Sequence, residues 1–221
     1  MGARTVFVTG ASGYLGRALV PALLARGHAV RALVRVGSEA RLPPGCTPVV
    51  GDALRAESYA AAIAPADTLV HLVGTPKPAP WKAREFRRVD LGSFVAALEA
   101  ARAARIAHLV YVSVAQPAPV MRAYVGVRAE CEARLRAAAL PATVLRPWYV
   151  LGPGHRWPLV LAPLYALAER LPATSAGARR LGLVRLAEMV HALAWAVEHP
   201  SAELRVLAVP DIRRLASPGR R

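Results

Sequence analysis

The sequence has little of what marks metal-binding, disulfide-bonded or membrane-spanning proteins. Its two cysteines, Cys46 and Cys131, lie far apart and form no C-x-x-C pair, so the spacing of a zinc knuckle or a dithiol redox motif is missing. The longest strongly apolar run, Trp157–Ala168, is shorter than the roughly 20 residues that cross a bilayer, and two prolines interrupt it. The first residues enter a strand pattern without the features of a signal peptide. We therefore expect a cytoplasmic protein with reduced cysteines and no bound metal.

Acidic residues are also scarce. The chain has 14 of them against 29 basic residues, a formal net charge of +15, and every basic residue except Lys77 and Lys82 is arginine. A charge of this size can attract nucleic acid, anionic lipid or an acidic ligand. The arginines are scattered and form no polybasic block, which favours a compositional bias over a dedicated anionic partner. Because no helix-turn-helix or aromatic RNA-binding motif is present, we expect no nucleic-acid partner, while peripheral membrane contact stays open.

Short β-type runs alternate with longer helical patterns, and the 55% hydrophobic content suffices for a sizeable core. This alternation predicts βαβ units, hence an α/β protein with a doubly wound, mostly parallel sheet. The tail from Arg213 is expected to be frayed. Strands are predicted at Thr5–Thr9, Ala29–Val34, Pro48–Val50, Thr68–Val73, Leu109–Val114, Ala142–Leu145 and Leu204–Val209, and helices at Leu15–Arg26, Ser58–Ala64, Lys82–Ala104, Met121–Ala139 and Arg185–Glu198.

A glycine-rich turn joins the first strand to the first helix, with the pattern G-x-x-G-x-x-G. Gly10 would make a tight turn, Gly13 would let a pyrophosphate approach the backbone, and Gly16 would let the helix pack against the strand. The phosphates would sit on free N–H groups at the helix N-terminus. The preceding strand and following helix favour this over a plain turn. The sequence therefore predicts a dinucleotide site, with further contacts from Ser12, Tyr14 and Leu15.

The motif T-G-x-x-G-x-x-G resembles that of the extended and atypical short-chain dehydrogenase/reductases. The resemblance covers at least Thr5–Gly154, about two-thirds of the chain, and is nearest to the atypical branch, which includes epimerase/dehydratase-like enzymes and complex I accessory subunits. It implies a Rossmann core at residues 1–146 and a short substrate-side region at residues 147–221, within one compact unit. Further matching stretches are Leu33–Arg35, Gly51–Asp52, Leu72–Gly74, Val112–Ser113, Tyr124–Glu132, Leu145–Pro147 and Gly152–Gly154.

The end of the second strand indicates which dinucleotide is bound. NAD-specific folds place a carboxylate there for the ribose 2′-hydroxyl, but this chain has Arg35, and no carboxylate follows before Glu39. A guanidinium can instead pair with a 2′-phosphate. We therefore expect NADP(H), with NAD allowed, and with Arg31 and Ser38 as helpers of Arg35. The alternative is a solvated arginine at a strand end.

The resemblance assigns further cofactor contacts. Asp52, with Ala53 beside it, occupies the position that contacts adenine in the family, although an aspartate there would serve equally well as a helix N-cap. Both roles can hold at once. The remaining contacts are expected at the carboxyl edge of the sheet, from Val73, Gly74 and Thr75 after the fourth strand and Pro147 after the sixth.

Catalysis in the family uses a serine, a tyrosine and a lysine four residues after the tyrosine. Ser113 and Tyr124 match the first two, but residue 128 is arginine. Tyr124 and Arg128 share one helix face, so the cation would favour a phenolate. Arginine cannot pass a proton along, which puts turnover in question. Tyr124 is otherwise an ordinary residue at a core edge, and His71 and His108 are expected to be structural.

An aromatic, apolar stretch follows the sixth strand and includes Trp148, Tyr149, Trp157 and Leu159–Tyr165. It is expected to form core, to line a pocket for an apolar small molecule, or to lie on a membrane or a partner. Two functions therefore stand: an NADP-dependent oxidoreductase acting on a small carbonyl or apolar substrate, or a non-catalytic NADP(H)-binding redox sensor or accessory protein. The sequence leaves open the substrate, the reaction direction and the oligomeric state.

Overall fold

Seven parallel strands form the central sheet of the computed structural model, which describes residues 2–153 and 181–217. The strand order is β3-β2-β1-β4-β5-β6-β9, so the chain reverses its direction of winding next to β1. Ligands of such sheets bind outside the carboxyl ends of the strands at this reversal. The strands are β1 (Thr5–Thr9), β2 (Ala29–Val34), β3 (Cys46–Val50), β4 (Thr68–His71), β5 (His108–Val112), β6 (Ala142–Arg146) and β9 (Leu204–Ala208), and β7 (Tyr149–Leu151) pairs separately with β8 (Leu183–Arg185).

Helices cover both faces of this sheet. Because side chains alternate along a strand, Phe7 of β1 enters one core and its neighbours Val6 and Val8 enter the other. The described helices are α1 (Gly16–Ala25), the single turn α2 (Ala83–Glu85), α3 (Gly92–Ala103), α4 (Arg122–Ala137), α5 (Leu186–Glu198) and α6 (Val209–Ala216). The predicted doubly wound Rossmann fold is confirmed.

Three element predictions need correction. Residues Ser58–Ala64 form no α-helix; two 3-10 turns, Ala56–Ser58 and Ala60–Ala62, take that place, because the segment is short and ends directly before Pro65, where helical backbone is disfavoured. The long helix from Lys82 is interrupted by the π-helical stretch Phe86–Leu91. The tail is not frayed throughout, since α6 extends to Ala216.

The region after residue 147 contributes a strand to the central sheet and a helix to one of its faces. Strand β9 pairs with β6 at the edge of the central sheet, and α5 packs against α1. Trp148 and Tyr149 are half-buried, whereas Trp157 and Leu159–Tyr165 lie outside the described residues. No helix in the described ranges is long and apolar enough to cross a membrane.

Candidate functional site

The turn between β1 and α1 has the geometry that its glycines predict. Gly10 has φ +75°, and a Cβ added there would lie 2.8 Å from the carbonyl carbon of Leu72. A Cβ on Gly16 would collide with the carbonyl oxygens of Gly10 and Ala11. The turn therefore needs glycine at both positions, one for its conformation and one for close packing of the helix.

This turn presents several backbone donors at the start of α1. The N–H groups of Ala11, Ser12, Leu15 and Gly16 donate no hydrogen bond within the described ranges, and no side chain caps the helix. Free N–H groups and the positive end of the helix dipole favour an anion. The turn therefore fits a pyrophosphate. Tyr14 lies at its edge, with its hydroxyl group against Gly152.

Arg35 follows the carboxyl end of β2 and is exposed, and it pairs with no acidic residue in the part of the chain that the structure describes. Ser38 is buried beside it and donates its N–H to the Arg35 carbonyl at 2.9 Å. Arg31, expected as a helper of Arg35, lies within β2, where its Nε donates to the Ala62 carbonyl at 3.1 Å. The structure therefore does not bring Arg31 together with Arg35, which lies beyond the carboxyl end of the strand.

Asp52 lies at the neighbouring carboxyl end of β3. Its Oδ1 accepts the Leu54 N–H at 2.9 Å, and the first 3-10 turn begins only at Ala56. Asp52 thus stabilises the turn before a 3-10 helix rather than capping an α-helix. The carboxylate is exposed and Ala53 is half-buried, at the edge of the sheet where an adenine would lie. Their contact with adenine stays a prediction.

A buried ion pair lies beneath the loop that follows β4. The Arg128 Nη2 donates to Asp90 Oδ1 at 2.5 Å, and the two side chains are 7% and 0% exposed. The Arg128 Nη1 donates to the Val112 carbonyl at 2.8 Å and to the Tyr111 hydroxyl at 3.2 Å. Asp90 Oδ2 accepts the N–H of Thr75 at 3.0 Å and its hydroxyl at 2.6 Å. One carboxylate therefore connects the β4 loop to α4.

The ion pair also restricts the residue type at position 74. A Cβ on Gly74 would lie 2.5 Å from Arg128 Nη2 and 3.2 Å from Asp90 Oδ1, so only glycine fits there without displacing them. Val73 and Gly74 are half-buried, and Thr75 is buried and bonded to Asp90. This loop reaches the sheet edge beside Gly10, where a cofactor would pass.

Tyr124 and Arg128 are together on α4 as predicted. The guanidinium carbon lies 5.1 Å from the centre of the Tyr124 ring, and the Phe86 ring lies 5.0 Å from it on another side. The Tyr124 hydroxyl bonds to no residue in the described ranges, and the side chain is half-buried. No residue in the described part of the chain therefore competes with a substrate for this hydroxyl group.

The electrostatics of this core follow from burial. Burial by itself would lower the pKa of Arg128, but Tyr111, Tyr124 and Asp90 raise it well above its ordinary value, so the cation is permanent. Burial and the Arg128 charge lower the pKa of His71 to about 3. His71 is thus neutral, bonds Thr9 Oγ1 at 2.9 Å, and is structural as expected.

Ser113 is held by a second buried carboxylate. Its hydroxyl donates to Glu132 Oε1 at 2.6 Å, and Gln116 Nε2 donates to the same oxygen at 2.7 Å. Arg146 forms two further hydrogen bonds to Glu132, one from Nε at 3.0 Å and one from Nη2. The Ser113 proton therefore points to Glu132, and its role as donor to a substrate carbonyl stays a prediction. Pro147 is buried next to this cluster, and its carbonyl accepts the Ala115 N–H at 2.9 Å.

A family model described as NAD(P)H-binding matches residues 10–156. This chain belongs to that family. Two reductases are similar to this chain. The first is the 4-hydroxy-2-methyl-3-oxo-4-farnesyl-3,4-dihydroquinoline-1-oxide ketoreductase of Stigmatella aurantiaca. It is 41% identical over 109 residues, which are 48% of this chain and 32% of the ketoreductase. The 3-diazoavenalumate denitrifying reductase of a Streptomyces species is 32% identical over 220 residues, 87% of this chain and 72% of its own length. The chain thus spans about a third of the ketoreductase.

The fold is shared with a solved NAD+-bound enzyme. The Bordetella bronchiseptica enzyme WbmH, crystallised with NAD+, superposes with a TM-score of 0.68 at 20% identity, over 93% of this chain and 75% of WbmH. The resemblance inferred from the glycine motif is therefore confirmed, as is an NAD(P)H-binding Rossmann domain with reductase relatives. Within the described residues of this NAD(P)H-binding chain, no group of acidic, histidine and cysteine side chains could hold a metal ion.

The sequence analysis missed both buried carboxylates. Glu132 could have been found, because Tyr124, Arg128 and Glu132 are spaced four residues apart and must share one face of α4. Asp90 gave a weaker signal: it is one acidic residue within an otherwise plausible helix, and its partners Thr75 and Arg128 lie 15 and 38 residues away. Only the tertiary fold brings them together.

Proposed function

We propose that this chain is an NADP(H)-dependent oxidoreductase that acts on the carbonyl group of an apolar small molecule. The observation that carries the proposal is the β1–α1 turn, whose glycines and unengaged N–H groups form a cradle for a pyrophosphate. The reductase relatives support the class of reaction, and one of them is named for a ketone that bears a farnesyl group.

Each predicted contact has a place in this proposal. The amides of Ala11, Ser12 and Leu15 would hold the pyrophosphate, and Arg35 would pair with the 2′-phosphate because no carboxylate among the described residues competes for it. Asp52 would accept a hydrogen bond from adenine. The loop at Val73–Thr75 and Pro147 would line the cofactor along the sheet edge. When bound, the nicotinamide would supply the hydride.

The residues of α4 would then handle the proton. In the reducing direction, the carbonyl carbon receives the hydride and the carbonyl oxygen receives the proton of the Tyr124 hydroxyl, which bulk water then replaces. Arg128 would stabilise the resulting phenolate through its fixed charge 5.1 Å from the ring centre. Its terminal nitrogens are already bonded to Asp90, Tyr111 and Val112, so we do not assign it a ribose contact.

The cofactor proposal is tested by titrating the chain with NADPH and with NADH. We expect tighter binding of NADPH, and we expect Arg35→Asp to weaken NADPH by about tenfold or more while changing NADH little, because a guanidinium–phosphate pair is lost and a charge repulsion is added. Arg102→Asp, another exposed arginine far along the chain, is the control for net charge. An equal loss for both dinucleotides would remove Arg35 from the 2′-phosphate site.

A second candidate function is non-catalytic NADP(H) binding, as in a redox sensor or accessory protein. The observation that favours it is that Arg128 and Ser113 are both engaged by buried carboxylates. Tyr124→Phe separates the two, since a general acid contributes about 10²–10⁴-fold in rate. An oxidoreductase loses carbonyl reduction in this variant but still binds NADPH. A binding protein shows no reduction of any aldehyde or ketone offered to the unmodified chain.

A further inference from the structure

One exposed face next to the candidate site combines an aromatic side chain with unpaired positive charges. Trp81 is 82% exposed on the turn Pro80–Lys82, although tryptophan is one of the most heavily buried residue types on average. Val120, 54% exposed, precedes α4. We call the surface formed by Lys77, Trp81, Arg84, Arg88, Val120 and Arg122 the Trp81 face.

The local structure brings these residues to one side. Trp81, Arg84 and Arg88 are three and four residues apart in a continuous helical stretch, so they share a face, and all three are exposed. Phe86 and Asp90, on the opposite side of this stretch, are buried. The turn Pro80–Lys82 packs against α4, which begins at Arg122, so the two segments are neighbours in the fold.

The charge of the Trp81 face is strongly one-sided. Lys77, Arg84, Arg88 and Arg122 form no ion pair within the described ranges. The neighbouring cations are neutralised, Lys82 by Glu85 at 3.4 Å and Arg87 by Glu130 at 3.3 Å. The Trp81 face therefore combines an exposed indole with four positive charges that have no acidic partner in the part of the chain that the structure describes.

We propose that the Trp81 face docks onto an anionic membrane surface. Tryptophan is favoured at the membrane interface because its ring is apolar and its N–H stays hydrated, while arginines attract anionic headgroups. Nucleic acid would use the charges but would leave one isolated tryptophan beside an exposed valine without a row of stacking partners. Charge and apolar exposure together therefore fit lipid better than nucleic acid.

The position of the Trp81 face relates membrane docking to the route by which a substrate would reach Tyr124. The helical stretch begins at Pro80, shortly after Thr75, and the Phe86 ring on its buried side contacts Tyr124. If the proposed carbonyl reduction holds, an apolar substrate dissolved in the bilayer would reach Tyr124 from this side. Docking itself does not depend on that reaction.

The test is co-sedimentation of the full chain with vesicles of phosphatidylcholine alone and of phosphatidylglycerol with phosphatidylcholine at one to two. We expect binding to the anionic vesicles alone, weakening as salt rises and the Debye length falls from about 30 Å at 0.01 M to about 3 Å at 1 M. Arg84→Glu with Arg88→Glu should lower the partition coefficient by more than tenfold, since each cation contributes roughly fivefold before any reversal. Trp81→Ala should lower it about tenfold. The control is Arg102→Glu with Arg136→Glu, an equal charge change at exposed positions outside the face.

Several results would overturn the proposal. These are no anionic-vesicle binding at low salt, equal loss in the control pair, or binding that Trp81→Ala leaves unchanged. If duplex DNA competes with the vesicles and Trp81→Ala leaves binding unchanged, the charges would instead be assigned to nucleic acid. A cooperative urea-unfolding transition shows that each variant is folded. Titration with NADPH then separates the outcomes: a folded chain that binds no NADPH but still binds anionic vesicles fails the proposed function and retains this one.

Discussion

Replacing Asp90 by asparagine tests whether the buried ion pair holds the site together. The substitution keeps the size of the side chain but removes its charge, and the amide nitrogen cannot accept a hydrogen bond. Asp90 now accepts three: from Arg128 on one oxygen, and from the N–H and hydroxyl of Thr75 on the other. The single amide oxygen of asparagine can accept from only one of these two partners, so either Arg128 or the Thr75 N–H loses its acceptor.

The expected magnitude follows from the burial of both charges. Asp90 is fully buried and the Arg128 side chain is 7% exposed, so the substitution leaves a permanent cation without a counter-charge. Breaking such a pair costs about 3–5 kcal/mol. The Val112 carbonyl and Tyr111 hydroxyl still accept from Arg128, which places the expected loss near the lower value, about 3 kcal/mol. That is a large part of a domain stability of about 5–15 kcal/mol.

The assay is urea unfolding of each variant, followed by titration with NADPH. Asp90→Asn should lower the free energy of unfolding by about 3 kcal/mol and weaken NADPH binding, because the loop at Thr75 loses its anchor. Adding Arg128→Met removes the orphaned charge, and the double variant should regain most of the stability. The matched control is Glu130→Gln, which breaks partly exposed pairs with Arg87 and Arg134 and should cost less than about 1 kcal/mol.

The reasoning would be refuted by a loss below about 1 kcal/mol for Asp90→Asn, since Arg128 would then be satisfied without its partner. It would equally be refuted by a double variant no more stable than the single one. If Asp90→Asn does not fold at all, the double variant still decides the question, because it contains no buried charge at either position.

Three further predictions concern the turn, the histidines and the serine. Gly16→Ala should abolish NADPH binding, because its Cβ would displace the phosphate-binding backbone, whereas Gly126→Ala in open space on α4 should bind normally and raise stability by up to about 1 kcal/mol in urea unfolding. Burial lowers the pKa of His71 to about 3 and that of His108 to about 4, against about 6.5 in the unfolded chain, so below pH 6.5 the unfolded state binds protons that the folded state refuses. The free energy of unfolding should be full above pH 6.5 and fall toward pH 4 by up to about 1.4 kcal/mol per pH unit for each histidine. His108→Asn should make this decrease with pH shallower. An unchanged slope would contradict the assignment of the decrease to His108. Ser113→Ala should leave the Kd for NADPH unchanged and cost about 1 kcal/mol of stability, since its hydroxyl serves Glu132; a rate loss as large as that of Tyr124→Phe would instead show that Ser113 meets the substrate.

The parts of this protein that the sequence predicts well are those set by local physics. The buried strand β1 is a run of β-favouring residues with defined ends, and its prediction at Thr5–Thr9 is identical to the observed strand. The turn after it needs glycines for reasons visible within seven residues. Tyr124 and Arg128 share a face because helical spacing alone places them there.

What the sequence did not predict depends on distant contacts. The π-helical stretch Phe86–Leu91 has no local signal, yet it includes Asp90, and π-helical turns are frequent at functional sites. The orientation of Ser113 depends on Glu132, 19 residues later, and on Arg146. Arg31 is the reverse case, because its residue type suits a phosphate but the fold holds its Nε on the Ala62 carbonyl instead of beside Arg35.

Arginine at position 128 joins the chemistry of the site to the stability of the fold. Its fork geometry lets one side chain bond Asp90, Tyr111 and the Val112 carbonyl together, which a single ammonium group cannot reproduce with the same directions. Arg128→Lys therefore changes packing, hydrogen bonding and proton transfer at once, and a loss of activity in that variant would not show that residue 128 takes part in catalysis. Removing the Tyr124 hydroxyl does not combine several effects in this way, since that hydroxyl bonds to no residue in the described part of the chain. The removal of that one oxygen is thus the cleaner measure of whether this NAD(P)H-binding chain transfers a proton.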